Sequence, residues 1–324
     1  MKFASLKGGR DGQLAIVSQD NQRFITVPKI ASTLQHALDN WGELESKLEK
    51  TYSELNADSS LGSPVNISDL HSPLPRAYEW IDGSAYINHI VLVRKARNAS
   101  PPPTLKTDPL VYQGGSGTFL APTQDIPLVD SKWGLDFESE ICVILDDIPQ
   151  GTKGKDVEKY IRLICICNDV TLRSLIPPEL QKGFGFFNSK PSTAFSPFAV
   201  TPDELDESWK EGRLNLNMKT ILNGKIFGDV ESGPEMHFSF HDIITHICKT
   251  RGFTAGTIVG SGTISNEDVS RGSSCLSEKR MLEKINTGEF ITDYLKDGDH
   301  VQIEIFSPNG KSIFGQINQK VVQQ

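Results

Sequence analysis

The stretch LDFESEICVI, residues 135–144, alternates like a half-buried strand yet carries two carboxylates, Glu138 and Glu140, two positions apart. In an extended chain alternate side chains share a face. Residues 135–146 therefore predict a strand with Asp136, Glu138, Glu140 and Cys142 on one side, and Leu135, Phe137, Ile141, Val143 and Leu145 on the other. Carboxylates roughly 7 Å apart on a mostly apolar strand repel one another, and burying them unpaired is costly. Either they lie on the solvated face of an edge strand or they hold a divalent cation. Oxygen donors of this kind suit hard ions such as Mg²⁺ or Ca²⁺.

Other strand-like runs surround this one, at 109–113, 161–168, 213–229, 256–264 and 300–306, the last pairing with 312–318 across the SPNGK turn. Helical spacing appears at 85–97, 153–160, 172–182 and 239–250. Strands and helices do not alternate strictly, so a doubly wound parallel sheet is disfavoured and a β-rich α+β domain is expected. Ahead of it, Leu14–Val17 and Phe24–Val27 read as short antiparallel strands. Leu34, Ala37, Leu38, Trp41, Leu44, Leu48 and Tyr52 read as one long amphipathic helix, with Ser32 and Gln35 in capping-box spacing. The Ser/Pro-rich stretch ADSSLGSPVNISDLHSPLPR reads as a linker, which predicts a small α/β unit over 1–75 and a main domain over 76–324.

A formal charge of −8 and a pI near 5.4 argue against nucleic acid as a partner. No run of 18 apolar residues and no apolar leader-like segment occurs, so neither a membrane nor secretion is expected and the cytoplasm is the expected compartment. The 5 cysteines, mostly inside apolar runs, fit buried thiols rather than a disulfide framework. Cys165 and Cys167 lack the second pair or nearby His that a zinc site needs.

Further candidates for chemistry lie at element ends. Asp169 closes the apolar run LICICN, where an acid serves either as a helix cap or as a rigidly placed ligand. Asp82 sits in WIDGSAYINH, a D-G turn, and His89 follows seven residues later on the expected helix. Lys190 lies in the polar loop NSKPST, and Thr263 in the Gly-rich turn GSGTIS, which lacks the pattern of a nucleotide-binding loop.

Taken together and in order, DGSAYINH, YQGG, DFESE, NDVTLR, SKPSTAFSP and GSGTISNEDVSRGSSCLSEKR resemble the fumarylacetoacetate hydrolase family from about residue 76 to 320. Residues 1–75 are similar to the small amino-terminal domain of one bacterial branch. The resemblance implies a mixed β-roll catalytic domain, usually a homodimer, with Mg²⁺ or Ca²⁺ held by Asp82, Glu138, Glu140 and Asp169. It makes His89 the general base, Lys190 a catalytic residue, and Tyr112, Arg173 and Thr263 substrate contacts. One branch pairs the His with a Glu three residues on, where this chain has Leu92; the true fumarylacetoacetate hydrolases carry the orienting Glu in the C-terminal segment, where Glu278 is the nearest candidate. Ile176 and Ser84 stand where the fumarylacetoacetate enzymes carry a substrate-binding Gln and a Tyr. The implied activity is hydrolysis of a carbon–carbon bond in a 1,3-diketo acid such as a fumarylacetoacetate or acylpyruvate. A 2-oxo-pentenoate hydratase, a β-keto acid decarboxylase of the oxaloacetate type, and a non-catalytic metal-binding dimer are the alternatives.

Overall fold

The computed structural model describes residues 1–96 and 99–324. The expected 135–146 strand forms in two pieces, Leu135–Asp136 and Ser139–Leu145, interrupted at Phe137 and Glu138. At the interruption the backbone is held by Asp169 N–H donating to the Glu138 carbonyl (2.9 Å), and by Glu138 N–H donating to the Asn168 side chain (3.2 Å). The Ser139–Leu145 piece is buried at every position and pairs antiparallel with Ile161–Asn168 on one side and Ile258–Gly260 on the other.

This central strand belongs to a twelve-stranded sheet among the described residues. Moving outward past Ile258–Gly260, that strand runs parallel to Trp80–Gly83, which pairs in turn with Val111–Gly114. In the other direction the sheet passes through Ala199–Val200 to Lys2–Leu6, Gln13–Val17, Arg23–Thr26 and Ser63–Pro64. The sheet is open and mixed, not a closed barrel. A second sheet of five strands stacks Lys225–Glu231, Asn217–Leu222, His300–Ile305, Ile317–Gln323 and Ile126–Leu128. The architecture is α+β, as the strand-rich pattern leads one to expect.

Alternation along the central strand divides its side chains between two cores. Leu135, Phe137, Ile141, Val143 and Leu145 pack with Met218, Val301, Ile303 and Ile305 of the second sheet. Cys142 and Ile144 join Leu163, Cys165 and Cys167 under the helices of residues 34–57. All five cysteines are free and buried, and Cys142, Cys165 and Cys167 serve there as small apolar groups.

Those helices are two, not one: α1 (Leu34–Asp39) and α2 (Trp41–Ala57). Asn40, at φ −128°, lies between them; its side-chain amide donates to the His36 carbonyl (3.0 Å), while its own carbonyl receives Glu43 and Leu44 N–H. The cap of α1 is Thr33 rather than Ser32, and Gln35 instead donates to the Ala255 carbonyl (2.9 Å). The expected linker is not free chain. Ser63–Pro64 and Leu70–His71 add to the N-terminal strands, with Val65 and Ile67 packed beneath.

In the main body, α3 (Ile87–Ala96) starts two residues later than expected, and the Arg97 end of that expectation lies outside the described residues. The 153–160 segment is a 3₁₀ turn, 172–182 condenses to a 3₁₀ turn and the short α4 (Ile176–Leu180), and α5 spans Phe240–Ile247. A further helix, α6 (Leu276–Thr287), was not expected; it packs against α3. The SPNGK turn closes between Ser307 and Lys311, but its return strand begins at Ile317 rather than at 312, after a kink at Gly315 (φ +71°).

Candidate metal and acid–base site

Three elements of the large sheet end at one cleft. Asp82 arrives on Trp80–Gly83, Glu140 on the central strand, and Asp169 just past Ile161–Asn168. One carboxylate oxygen from each lies within 4.8 Å of the others, and all three side chains are buried. The parallel pairing of Asp82 with Gly260 needs a residue without Cβ, since a Cβ there would sit 2.5 Å from the Asp82 carboxylate. Gly262 N–H then donates to the same carboxylate at 3.0 Å. Tyr112 and Thr193 hydroxyls donate to Asp169 at 2.6 and 2.7 Å.

Glu138 shares the cleft but not the cluster. Its position at the strand break turns it to Lys190 (2.5 Å) and Arg173 (2.7 Å), with His89 Nε2 at 3.8 Å. Lys190 bridges Glu138 to Asp169 and donates to Thr171 Oγ1 (2.8 Å). The two acids of the E-x-E motif therefore meet opposite fields. Burial resists the charge on Glu138, but Arg173, Lys190 and His89 outweigh it and draw its carboxyl far below the usual range. Burial, and then the Asp82 charge, push Glu140 well up. Burial and then Asp169 do the same to Asp82.

Five buried carboxylates, Asp82, Asp136, Glu138, Glu140 and Asp169, thus face two cations, Arg173 and Lys190. Among the described residues Glu140 Oε1 has no hydrogen-bond partner, and neither has the Thr263 hydroxyl at the edge of the cleft. An orphaned carboxylate oxygen beside two others, with excess negative charge around it, fits a hard divalent cation. The donors that would hold it are Asp82, Glu140 and Asp169, with Glu138 within the same cleft.

On the opposite wall α3 presents His89, and α6 brings Glu278 to it: His89 Nδ1 lies 2.7 Å from Glu278 Oε1. An ionised carboxylate only accepts, so Nδ1 carries the proton and Nε2 is the basic nitrogen facing the acids. Leu92 is buried in the core and takes no part. Sequence reasoning missed Asp136 as a member of this assembly. It receives Arg173 Nε (2.8 Å) and the first N–H groups of α6, from Leu276 (2.8 Å) and Ser277 (3.0 Å). Its signal was present, since it continues the Glu138/Glu140 alternation by one step. Around the cleft, a cavity of about 270 Å³, stand Ser84, Tyr112, Ile176, Phe186 and Thr263.

An oxygen-donor cluster fit for a divalent ion and a His–Glu pair thus open into one small cleft. The chain belongs to the fumarylacetoacetate hydrolase family: residues 79–322 match the family model "Fumarylacetoacetate (FAA) hydrolase C-terminal", and residues 1–76 match "Fumarylacetoacetase N-terminal domain 2". Members of this family are enzymes, and a divalent metal site is a family feature. Among curated proteins the chain is similar to oxaloacetate tautomerase YisK of Bacillus subtilis (strain 168), with 25% identity over 199 residues, 60% of this chain and 62% of that protein. The chain thus matches less than two thirds of that relative's length. Among solved structures it shares the fold of a fumarylacetoacetate hydrolase from Exiguobacterium antarcticum (TM-score 0.68, 17% identity, 100% of both chains covered). It shares it also with maleylpyruvate hydrolase from Sphingobium sp. SYK-6, a structure in complex with manganese (II) ion and pyruvate (TM-score 0.67, 15% identity, 100% of this chain and 99% of that one). Among the described residues, no helix is long and apolar enough to cross a membrane.

Proposed function

We propose that the chain is a divalent-cation-dependent hydrolase that cleaves a carbon–carbon bond in a 1,3-diketo acid of the fumarylacetoacetate or acylpyruvate type. The observation that carries this reading is the His89–Glu278 pair, which engages Nδ1 and leaves His89 Nε2 in the cleft, 3.8 Å from Glu138. The ion, Mg²⁺ or Ca²⁺ by the all-oxygen donor set, would supply Lewis acidity toward the substrate's carbonyl oxygens. His89 Nε2 takes a proton from water while the water oxygen attacks the adjacent carbonyl carbon, and Glu278 stabilises the imidazolium. The carbon–carbon bond then breaks, its electron pair passing to the carbon alpha to the remaining carbonyl, and that carbon receives a proton from His89. Lys190 is held charged because Asp169 and Glu138 outweigh the cost of burying it, and its three N–H groups go to Glu138, Asp169 and Thr171; it would donate to oxygen that gains charge in exchange for one of these. Thr263 offers a hydroxyl that is otherwise unpaired, and Tyr112 a phenol at the cleft wall.

A second reading, keto–enol tautomerisation of an oxo acid such as oxaloacetate, is favoured by the YisK likeness. It needs only the proton transfers of His89, without water attack. One substrate panel separates the two: acylpyruvates, fumarylacetoacetate, 2-oxo-pentenoate and oxaloacetate with Mg²⁺ or Mn²⁺. Turnover of a diketo acid that falls at least about a hundredfold in His89→Ala, with the metal response kept, supports hydrolysis. Parental rates in His89→Ala would remove the base from the mechanism. The homodimer implied by the family resemblance would cover the exposed apolar side chains Val129, Leu180, Phe184 and Phe187.

A further inference from the structure

The catalytic cleft has a neighbour. A second cavity of about 270 Å³ lies behind it, and the two share three wall residues, Val93, Arg173 and Ile176. Its remaining lining includes Ser277, Arg280 and Tyr294. The two arginines in this wall differ in what they face. Arg173 gives Nε to Asp136 and Nη2 to Glu138, so its charge is matched by buried carboxylates. Arg280 has no carboxylate within ion-pair distance among the described residues. Instead Nη1 donates to the Thr292 carbonyl, and the guanidinium lies over the rings of Tyr294 (4.3 Å to the centroid) and Phe290 (4.8 Å).

These contacts fix the guanidinium without neutralising it, which is the condition for recognising an incoming carboxylate. The geometry points to the second cavity as an acid-binding subsite, in which Arg280 receives the distal carboxylate of a dicarboxylic 2-oxo acid. The inference rests on the oxo-acid reading above for its first anchor only. Val93 follows His89 by one turn of α3, about 6 Å along its axis. A chain whose oxo-acid end lies at the acid cluster and whose reacting carbon lies at His89 therefore passes Val93 and Ile176 to reach Arg280. Those two side chains supply the apolar part of the neck, suited to methylene or vinyl carbons; Arg173, its charge already matched, is the third shared wall residue, and Ser277 lines the far cavity together with Arg280. Arg280 is thus a specificity-determining residue, and Arg173 is an internal counter-ion.

The test compares two probes on the Mn²⁺-loaded protein by titration calorimetry: 2-oxoadipate, with a second carboxylate, and 2-oxobutyrate, without one. The parental protein is expected to bind 2-oxoadipate at least about tenfold more tightly, as a charge-assisted hydrogen bond warrants. Arg280→Gln should erase that preference while leaving 2-oxobutyrate affinity unchanged, and Arg280→Lys should restore part of it. No preference in the parental protein overturns the subsite without any variant having to fold, and so does a preference that survives Arg280→Gln. If the preference is present while no diketo acid is turned over, the hydrolase reading fails and the subsite stands; turnover without the preference gives the reverse.

Discussion

Glu138 and Glu140 are two residues apart, yet the structure predicts that neutralising them moves stability in opposite directions. Without metal, Glu140 sits within 4.8 Å of Asp82 and Asp169 oxygens, has one oxygen with no partner, and is pushed toward its neutral form. Holding that carboxyl neutral at pH 7 costs about 1.4 kcal/mol for each pH unit above its usual value of 4.5, up to roughly 3 kcal/mol. Glu140→Gln removes that burden while keeping shape, so in EDTA the variant should melt at or above the parental temperature, by up to about 6 °C if each kcal/mol is worth about 2 °C in a chain of this size. Glu138→Gln does the reverse. It leaves Arg173 and Lys190 short of an acceptor in a buried setting and should cost about 3 kcal/mol. Metal reverses the first comparison: at a hundredfold excess over Kd the parental protein gains about 2.7 kcal/mol, whereas Glu140→Gln, lacking a central donor, gains nothing. Differential scanning fluorimetry of the three proteins in EDTA and in Mn²⁺ reads every term. A Glu140→Gln protein that melts well below the parent in EDTA, or that still shifts with Mn²⁺, would refute the placement of Glu140 at the centre of the cation site.

Two further perturbations probe what holds the site in place. Asp136→Asn keeps an acceptor for the α6 amides but loses the charge opposite Arg173; urea unfolding should show a loss of about 2–3 kcal/mol. Its kcat should fall as α6 and Glu278 shift from His89, and unchanged stability and rate would mean that Asp136 positions nothing. Removing residues 1–75 would bare Cys142, Ile144, Leu163 and Cys165, which pack under α1 and α2, and would strip Ala199–Val200 of one of its two partner strands. The remainder should therefore be insoluble or lack a cooperative transition, whereas a shortened chain with a sharp melt and intact metal response would make the N-terminal unit an independent domain.

The acids of the site were legible because strand alternation is a local signal: period two singles out Glu138 and Glu140 as two carboxylates aimed at one cleft, although the break before Ser139 gives them different partners. The break at Phe137 and Glu138 was not, because it is made by Asn168 and Asp169, some thirty residues away. The partner of His89 was reached only by resemblance, although its helix left a trace. LSEKRMLEKINT is a run of good helix formers ending at Gly288, which caps α6 in the left-handed region at φ +87°. What hid it was its start, where a Cys rather than a Ser, Thr or Asp receives the Glu278 N–H. In the same way the polar, Pro-rich stretch after residue 57 reads as a linker by composition, yet composition does not report whether a neighbouring strand has an open edge. Here Arg23–Thr26 and Lys2–Leu6 both did, and Ser63–Pro64 and Leu70–His71 paired with them.

The strand break also accounts for how one short motif serves two tasks. Had 135–146 run without interruption, Glu138 would have lain in register with Glu140 and faced the same unpaired charge, adding a fourth mutually repelling acid to the cluster. Breaking the strand lets Glu138 anchor Lys190 and Arg173 instead. Those two cations offset part of the charge that Asp82, Glu140 and Asp169 accumulate. Asp136, one step further back, completes the arrangement by tying Arg173 to the N-terminus of α6, which carries Glu278 to His89. Charge compensation at the cation site and orientation of the base thus pass through one guanidinium. On this account, replacing Arg173 would disturb both at once, while replacing Arg280, which has no carboxylate partner among the described residues, would disturb only the recognition of substrate.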